Sequence, residues 1–339
     1  MIKKILVTGG AGYIGAHTVV ELVSAGYEPV IIDNLSASDL TLVRGIEKIT
    51  GRPVAFYQGD CRNRAFLEEV FSKEKFPAVM HFAALKSVGE SVQKPLEYYD
   101  NNIGSLVALL DMMGKYRVTD FIFSSSCTVY GQPDAIPVTE ETPFKKAESP
   151  YGATKQMCER ILEDVSKNGL RVLSLRYFNP IGAHPSAQIG ELPIGTPNNL
   201  VPFVTQTAAG VRPELVVFGN DYNTPDGSCI RDFIHVVDVA RAHVDALQYL
   251  QQKKENRIYE VFNLGVGKGM SVLEIVNLFQ QVTGVQLRYR IGNRRPGDVE
   301  KIYADPSRIM KELGWKPVYT IEQALLHAWQ WQKKLSGLS

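Results

Sequence analysis

The sequence predicts an α/β protein built on a doubly wound parallel sheet, and three observations point there. Short apolar runs alternate with helix-length amphipathic segments through the first half of the chain. The runs are almost continuously apolar, as expected of parallel strands covered on both faces. The chain has 339 residues, more than one hydrophobic core usually serves, so a second lobe is expected.

The first strand is expected at Lys4–Thr8, followed by strands at Pro29–Asp33, Val54–Gln58, Ala78–Phe82, Phe121–Ser125 and Val172–Tyr177. Helical patterns fall between them at Tyr13–Ala25, Phe66–Glu74 and Tyr151–Lys167. A longer helix runs from about Leu96 to Tyr116, where Leu96, Tyr99, Ile103, Leu106, Leu110 and Met113 form one apolar seam at alternating spacings of three and four. The seam either packs on the sheet or, with the helix at 151–167, meets a second copy of the chain in a homodimer. Residues 180–232 are rich in turn formers (Pro193, Gly195, Pro197, Asn198, Gly219, Asn220, Pro225, Gly227) and read as loops with few elements. Helices at Val236–Leu250, Val272–Thr283 and Ile321–Lys334 and a strand at Tyr259–Leu264 complete the chain, with Arg294–Asp298 on a connecting segment. Residues 1–179, with about 233–264 returning, are expected as one lobe. About 180–232 and 265–339 form a smaller, loop-rich α/β lobe.

Composition narrows the function. The chain is 45% hydrophobic and 22% charged, and its 37 basic and 36 acidic residues leave a net charge of +1. No basic stripe or charged tail suggests nucleic acid or a membrane surface as partner. The opening MIKKILV is too short an apolar run for a secretion signal, and no segment reaches membrane-spanning length. Cys61, Cys127, Cys158 and Cys229 are widely spaced without a CxxC pair, which suits reduced thiols and a cytoplasmic protein. The six histidines show no HxH or HExxH spacing, so no metal site is expected.

The first strand runs into Gly9-Gly10-Ala11-Gly12-Tyr13-Ile14-Gly15, which holds both GxGxxG and GxxGxxG spacings. Glycines are needed there for a tight strand-to-helix turn, for backbone approach to a pyrophosphate, and for close helix–strand packing. The helix start at Tyr13 and Ile14 then offers unpaired N–H groups and a positive dipole end to phosphates. Asp33 closes the second strand, where a carboxylate takes ribose hydroxyls and repels a 2′-phosphate. No arginine lies between Asp33 and Arg44, so NAD is favoured over NADP. Asp60 and Cys61 end the third strand, where Asp60 reads either as an acceptor for adenine or as an acidic turn residue. The small residues of Phe82-Ala83-Ala84 follow the fourth strand and suit a cofactor lying on the sheet.

Tyr151 and Lys155 form YxxxK at the start of a helix, so both side chains share one face. A free tyrosine, with a pKa of about 10, is a poor base at neutral pH. A nearby ammonium, with the positive nicotinamide ring, stabilises its phenolate. Ser124-Ser125-Ser126 follows the fifth strand at the carboxyl edge, where such sheets place ligands. Arg231 and Arg295, distant in sequence, can converge on a diphosphate through bidentate hydrogen bonds, and each also reads as an ordinary ion-paired arginine. Asp298 suits a ribose hydroxyl and Phe218 a uracil face.

The chain resembles the extended short-chain dehydrogenases/reductases and, among them, UDP-galactose 4-epimerases. The segments VTGGAGYIGAHTVVEL, HFAALKSVGESV, YYDNNIGS, FSSSCTVYG, SPYGATK, LRYFNPIGAH, PNNLVPFV, FGNDYNTPDGSCIRDFIHVVDVA and RRPGD carry the resemblance over nearly the whole length. It implies Tyr151 as base, Lys155 as the residue that binds the nicotinamide ribose and tunes Tyr151, and Ser126 as the hydroxyl at the sugar oxygen. Gly9, Gly12, Gly15, Asp33, Asn34, Ser38, Asp60, Cys61, Phe82, Ala83, Lys86, Asn101 and Tyr177 fall at positions implied for NAD. Phe178, Asn179, Asn199, Leu200, Val216, Phe218, Arg231, Arg295 and Asp298 fall at positions implied for the UDP-sugar, to which Ser126, Tyr151 and Lys86 also contribute. Ala37 departs from an asparagine common in the ribose-binding turn. Ile302 stands where a bulky tyrosine tends to exclude N-acetyl sugars and a small residue admits them, so both remain open.

The implied reaction is reversible oxidation at the sugar's C4, rotation of the 4-keto sugar about its diphosphate link, and reduction on the opposite face with the same NAD. A 4,6-dehydratase or decarboxylase on this fold needs a carboxylate after the catalytic serine, and Cys127-Thr128 stand there instead. A non-catalytic NAD-sensing protein is expected to lose Tyr151 or Lys155, and both are present. Pentose and N-acetylhexosamine UDP-sugars remain as alternative substrates.

Overall fold

The computed structural model describes residues 3–295 and 297–338; Met1, Ile2, Pro296 and Ser339 lie outside the described residues. β1 (Lys4–Thr8) leads through the glycine turn into α1 (Tyr13–Ser24). The alternation continues with β2 (Glu28–Asp33), α2 (Leu40–Thr50), β3 (Ala55–Gln58), α3 (Arg64–Lys73) and β4 (Ala78–His81). The short α4 (Val88–Gln93) and the long α5 (Pro95–Tyr116) precede β5 (Asp120–Ser126), α6 (Pro150–Ser166) and β6 (Arg171–Tyr177). Next come β7 (Asn179–Ile181), α7 (Leu200–Ala208), β8 (Leu215–Phe218), β9 (Ile230–His235), α8 (Val236–Gln252) and β10 (Ile258–Leu264). β11 (Gly269–Ser271), α9 (Val272–Thr283), β12 (Tyr289–Gly292), β13 (Lys301–Ile302), α10 (Ser307–Leu313) and α11 (Ile321–Leu335) complete the chain.

Among the described residues, seven strands form one sheet in the order β10-β6-β5-β4-β1-β2-β3. Each adjacent pair in it is parallel. Side chains of a strand alternate between faces, and the two cores divide accordingly. Ile5, Val7, Ile31, Met80, Ile122 and Leu173 pack under α1, α2 and α8 on one face. Leu6, Val30, Ile32, Val79, Phe121 and Val172 pack under α3, α5 and α6 on the other. Strand order reverses between β1 and β4, opening a crevice at their carboxyl ends, where ligands bind on such sheets.

The later part of the chain builds smaller sheets around β9, which pairs with β7, β11 and β13, and a β8–β12 ribbon. Their core gathers Val204, Val217, Phe233, Phe279 and Trp329 with residues of α7, α9 and α11. Residues 180–232 are therefore more structured than their turn-rich composition implies. β8 is only four residues long and finds its partner in β12, far along the chain, so no local periodicity announces it. The seam on α5 also differs from expectation. Leu106 and Met113 are fully buried, whereas Leu96 is 82% exposed. The buried face instead runs through Tyr98, Asn102, Ser105, Leu109 and Met112. No helix among the described residues is long and apolar enough to cross a membrane.

Candidate active site

The glycine turn is shaped by close contact. Gly9 has φ +71°, and a Cβ there would stand 2.6 Å from the Ala83 nitrogen. A Cβ on Gly15 would stand 2.3 Å from the Gly9 oxygen, so α1 starts directly against the turn. Gly12 caps α1 with no side-chain hydrogen bond and no acid follows in the first turn, leaving the Tyr13–Ile14 end open to an anion. The residues present fit a dinucleotide. Asp33 is buried and accepts hydrogen bonds from the Ala11 N–H (3.1 Å), the Leu35 N–H (2.9 Å) and the Ser38 hydroxyl (2.9 Å). It thereby ties the turn after β1 to the loop after β2. Asp60 is held by Arg62 and Asn34, and the guanidinium contact drives its carboxyl down to about 2. Cys61 is buried next to it, with its thiol pushed up to about 12. Phe82 packs on His243, 4.6 Å between ring centroids.

The second cluster lies at the carboxyl end of β5. Ser126 ends the strand, and its hydroxyl accepts from the Thr128 N–H at 3.3 Å. Ser149 caps α6 and Pro150 occupies its first turn, so Tyr151 and Lys155 enter the site from one rigid face. Both are buried, and Lys155 donates from Nζ to the Ser124 carbonyl at 2.7 Å. Tyr177 hydrogen bonds to the Ser124 hydroxyl, and strand pairing sets Ser126 beside Tyr177. Burial pushes Tyr151 up to about 12, with the Ser126 hydroxyl working against it. Burial also brings Lys155 down to about 8. The expected lowering of the phenol is therefore not supplied by the chain alone, because desolvation outweighs the Ser126 hydrogen bond while the Lys155 ammonium is turned toward the Ser124 carbonyl.

The third cluster lies across the crevice. Arg295 pairs with Asp298 through three contacts of 3.2, 3.2 and 2.7 Å, and Arg231 approaches the same carboxylate at 3.7 Å. Asp298 thus joins the two arginines, a task beyond the ribose contact expected of it. The Arg295 guanidinium stands 5.8 Å from the Phe218 ring, which ends β8 and is half exposed. Val216 lies two residues earlier on the same strand. Phe178 and Ile302 are buried in one apolar cluster with Cys127. The Asn179 side-chain oxygen is buried with no hydrogen-bond partner among the described residues, an acceptor left for a ligand. Asn199 caps α7 just before Leu200, and its amide and the Lys86 ammonium meet on Glu191.

Three residues escaped sequence reasoning. Asn102, next to Asn101, holds the loop after β4, bonding both backbone groups of Leu85 and the Thr154 hydroxyl. A polar residue inside the buried stripe of α5 is the signal that marks it. Glu159 bonds Ser125 at 2.5 Å and Arg176 at 2.6 Å, bracing α6 against β5 and β6; it follows Lys155 by one turn on the inner face. Glu191, in a turn-rich segment, carries no periodic signal.

A parallel sheet with a glycine turn at its switch point and a Ser-Tyr-Lys cluster at its carboxyl edge defines the class, an extended short-chain dehydrogenase/reductase. The family model described as GDP-mannose 4,6 dehydratase matches residues 6–327. A UDP-glucose 4-epimerase of Dictyostelium discoideum is 51% identical over 331 residues, covering 97% of this chain and 95% of that one. The crystal structure of a UDP-glucose 4-epimerase from Bifidobacterium longum, in complex with NAD+ and UDP, aligns with a TM-score of 0.95. It is 46% identical and is covered, like this chain, over 98%. A Stenotrophomonas maltophila UDP-glucose-4-epimerase with bound NAD and formylated UDP-arabinopyranose also aligns at 0.95, 47% identical over 99% of both chains. The chain belongs to the UDP-glucose 4-epimerase family, within the wider group that the dehydratase model describes.

Proposed function

We propose that this protein interconverts UDP-galactose and UDP-glucose by oxidising and re-reducing C4 of the hexose. The observation that carries the reading is the Ser126–Tyr151–Lys155 cluster, with Cys127 and Thr128 where a dehydratase needs a carboxylate. NAD, when bound, supplies the hydride acceptor and a positively charged ring beside the tyrosine. Tyr151 takes the proton of the 4-hydroxyl, Ser126 hydrogen bonds that oxygen, and Lys155 supports the phenolate by its charge. Arg231, Arg295 and Asn199 hold the diphosphate, while the apolar Phe178 and Ile302 walls offer the ring few fixed hydrogen bonds. The 4-keto sugar therefore turns while the nucleotide stays fixed and takes the hydride back on the opposite face of C4, and Tyr151 returns the proton to the C4 oxygen.

Residues 1–179 with 233–264 are assigned to NAD, and 180–232 with 265–339 to the UDP-sugar. The protein is read as cytoplasmic, in keeping with four free cysteines. It is read as a homodimer through α5 and α6, because the stripe Leu96, Tyr99, Ile103, Val107 and Leu110 remains at least partly exposed. A second reading adds UDP-N-acetylgalactosamine as substrate, favoured by the aliphatic Ile302 in the wall of the site. Turnover of that sugar by the wild type, and its loss in Ile302→Tyr, tests it.

Tyr151→Phe tests the main reading. The variant is expected to retain its NAD and to interconvert UDP-galactose and UDP-glucose about 100- to 10,000-fold more slowly. Near-normal turnover would remove Tyr151 from its role as base.

A further inference from the structure

We infer that Glu191 is a positioning residue that aims the Asn199 amide and the Lys86 ammonium at the diphosphate of the substrate. The inference rests on the UDP-sugar reading above. One carboxylate oxygen of Glu191 accepts from Asn199 Nδ2 at 2.6 Å and from Lys86 Nζ at 3.0 Å. It thus joins the loop after β4 to the start of α7 across the crevice.

Glu191 stands on a rigid mount. Ala183 and Gly190 pair as an antiparallel bridge, and the His184 N–H donates to the Ile189 carbonyl at 3.0 Å. Trp331 donates from its indole to the Glu191 carbonyl at 2.9 Å. A Cβ on Gly190 would stand 2.4 Å from the Trp331 ring, and one on Gly45 would stand 2.3 Å from the Gln188 oxygen. The hairpin is therefore wedged between α2 and α11, and the Glu191 side chain is only 12% exposed.

The chemistry of the contact sets a direction. A carboxylate only accepts, so the nitrogen end of the Asn199 amide must face it. One amide hydrogen goes to Glu191, and the second stays available to an anion. The same holds for Lys86, whose ammonium has three donors. Asn199 is the cap of α7 but makes no side-chain capping bond. Pro202, at the third helical position, has no N–H to donate to such a cap. Glu191 thus diverts the amide from its own helix, leaving the start of α7 open beside the substrate. A carboxylate so near a diphosphate weakens binding by repulsion, and only the aim it imposes on two donors offsets that.

The test is calorimetric titration of the NAD-loaded protein with UDP, for wild type, Glu191→Ala, Asn199→Ala and the double variant, with steady-state kinetics on UDP-galactose. Glu191→Ala is expected to weaken UDP about tenfold and raise KM by a similar factor, with kcat within about twofold. In the Asn199→Ala background the same change is expected to cost no more than about threefold, because of the two groups that Glu191 aims only Lys86 remains. Glu191→Gln, nearly isosteric and able to present its own NH2 to Asn199, is expected to weaken UDP several-fold even if the alanine variant folds poorly. UDP affinity unchanged or improved in both single Glu191 variants would overturn the inference, as would losses that multiply in the double variant. Wild-type protein that binds no UDP would overturn the UDP-sugar reading itself, and this inference with it.

Discussion

Tyr151 and Lys155 are pulled in opposite directions by the same burial. Removal from water favours the neutral form of each, raising the phenol to about 12 and lowering the ammonium to about 8. Lys155 is therefore charged below about pH 8 and loses its charge above it. In the proposed mechanism that charge supports the phenolate, so kcat/KM is expected to fall as pH rises past about 8. In Lys155→Met the tyrosine keeps a higher pKa, so the rate at neutral pH drops and the rising limb of the profile moves to higher pH. A Lys155→Met profile superimposable on wild type would separate Lys155 from the tuning of Tyr151. These residues were legible in the sequence because their spacing is short and a helix fixes their common face. Glu191 was not, since its partners Lys86 and Asn199 become neighbours only through the hairpin that Trp331 and Gly45 hold in place.

At the scale of elements, continuous apolar runs identified the inner strands of the large sheet well, because both of their faces are buried, whereas the edge strand β3 has no buried residue. The short strands around β9 were hidden, since β7, β11 and β13 have three, three and two residues and depend on distant partners. α5 shows how a correct helix can carry a misread face. Its buried stripe includes the polar Asn102 and Ser105, which an apolar pattern passes over. The other stripe runs through Ile103 and Val107, the latter 40% exposed, and Met157 on the neighbouring α6 is 46% exposed. A charge in that stripe is expected to break a dimer formed there, so Val107→Glu should sediment as one chain where wild type sediments as two. A wild-type monomer, or a dimeric Val107→Glu protein with wild-type affinity, would place any self-association elsewhere.

For the whole molecule, four buried histidines set the response to acid. His17, His81 and His235 are brought down to about 3 and His243 to about 4, each chiefly by burial. His17 and His243 donate from Nδ1 to the Tyr13 and Val239 carbonyls, leaving their other ring nitrogens without partners among the described residues. An unfolded histidine titrates near 6.5, so its buried counterpart gives stability that is present above that pH and lost as pH falls toward the folded value. Each such group costs about 1.4 kcal/mol per pH unit below that point. Asp232, raised to about 6 by burial, acts in the opposite sense and offsets roughly one of the four. The melting temperature is expected to fall steeply below about pH 6.5, and His243→Gln should flatten the slope by about one proton's share. A melting temperature constant from pH 7 to 5 would contradict the placement of these rings in the core.

The most direct test of the central claim is to incubate the purified protein with UDP-galactose, adding no NAD, and to follow the sugar anomeric signals by proton NMR. UDP-glucose is expected to appear and to approach a fixed ratio with UDP-galactose, the same from either sugar. No conversion by protein shown to carry NAD and to bind UDP-galactose would contradict it.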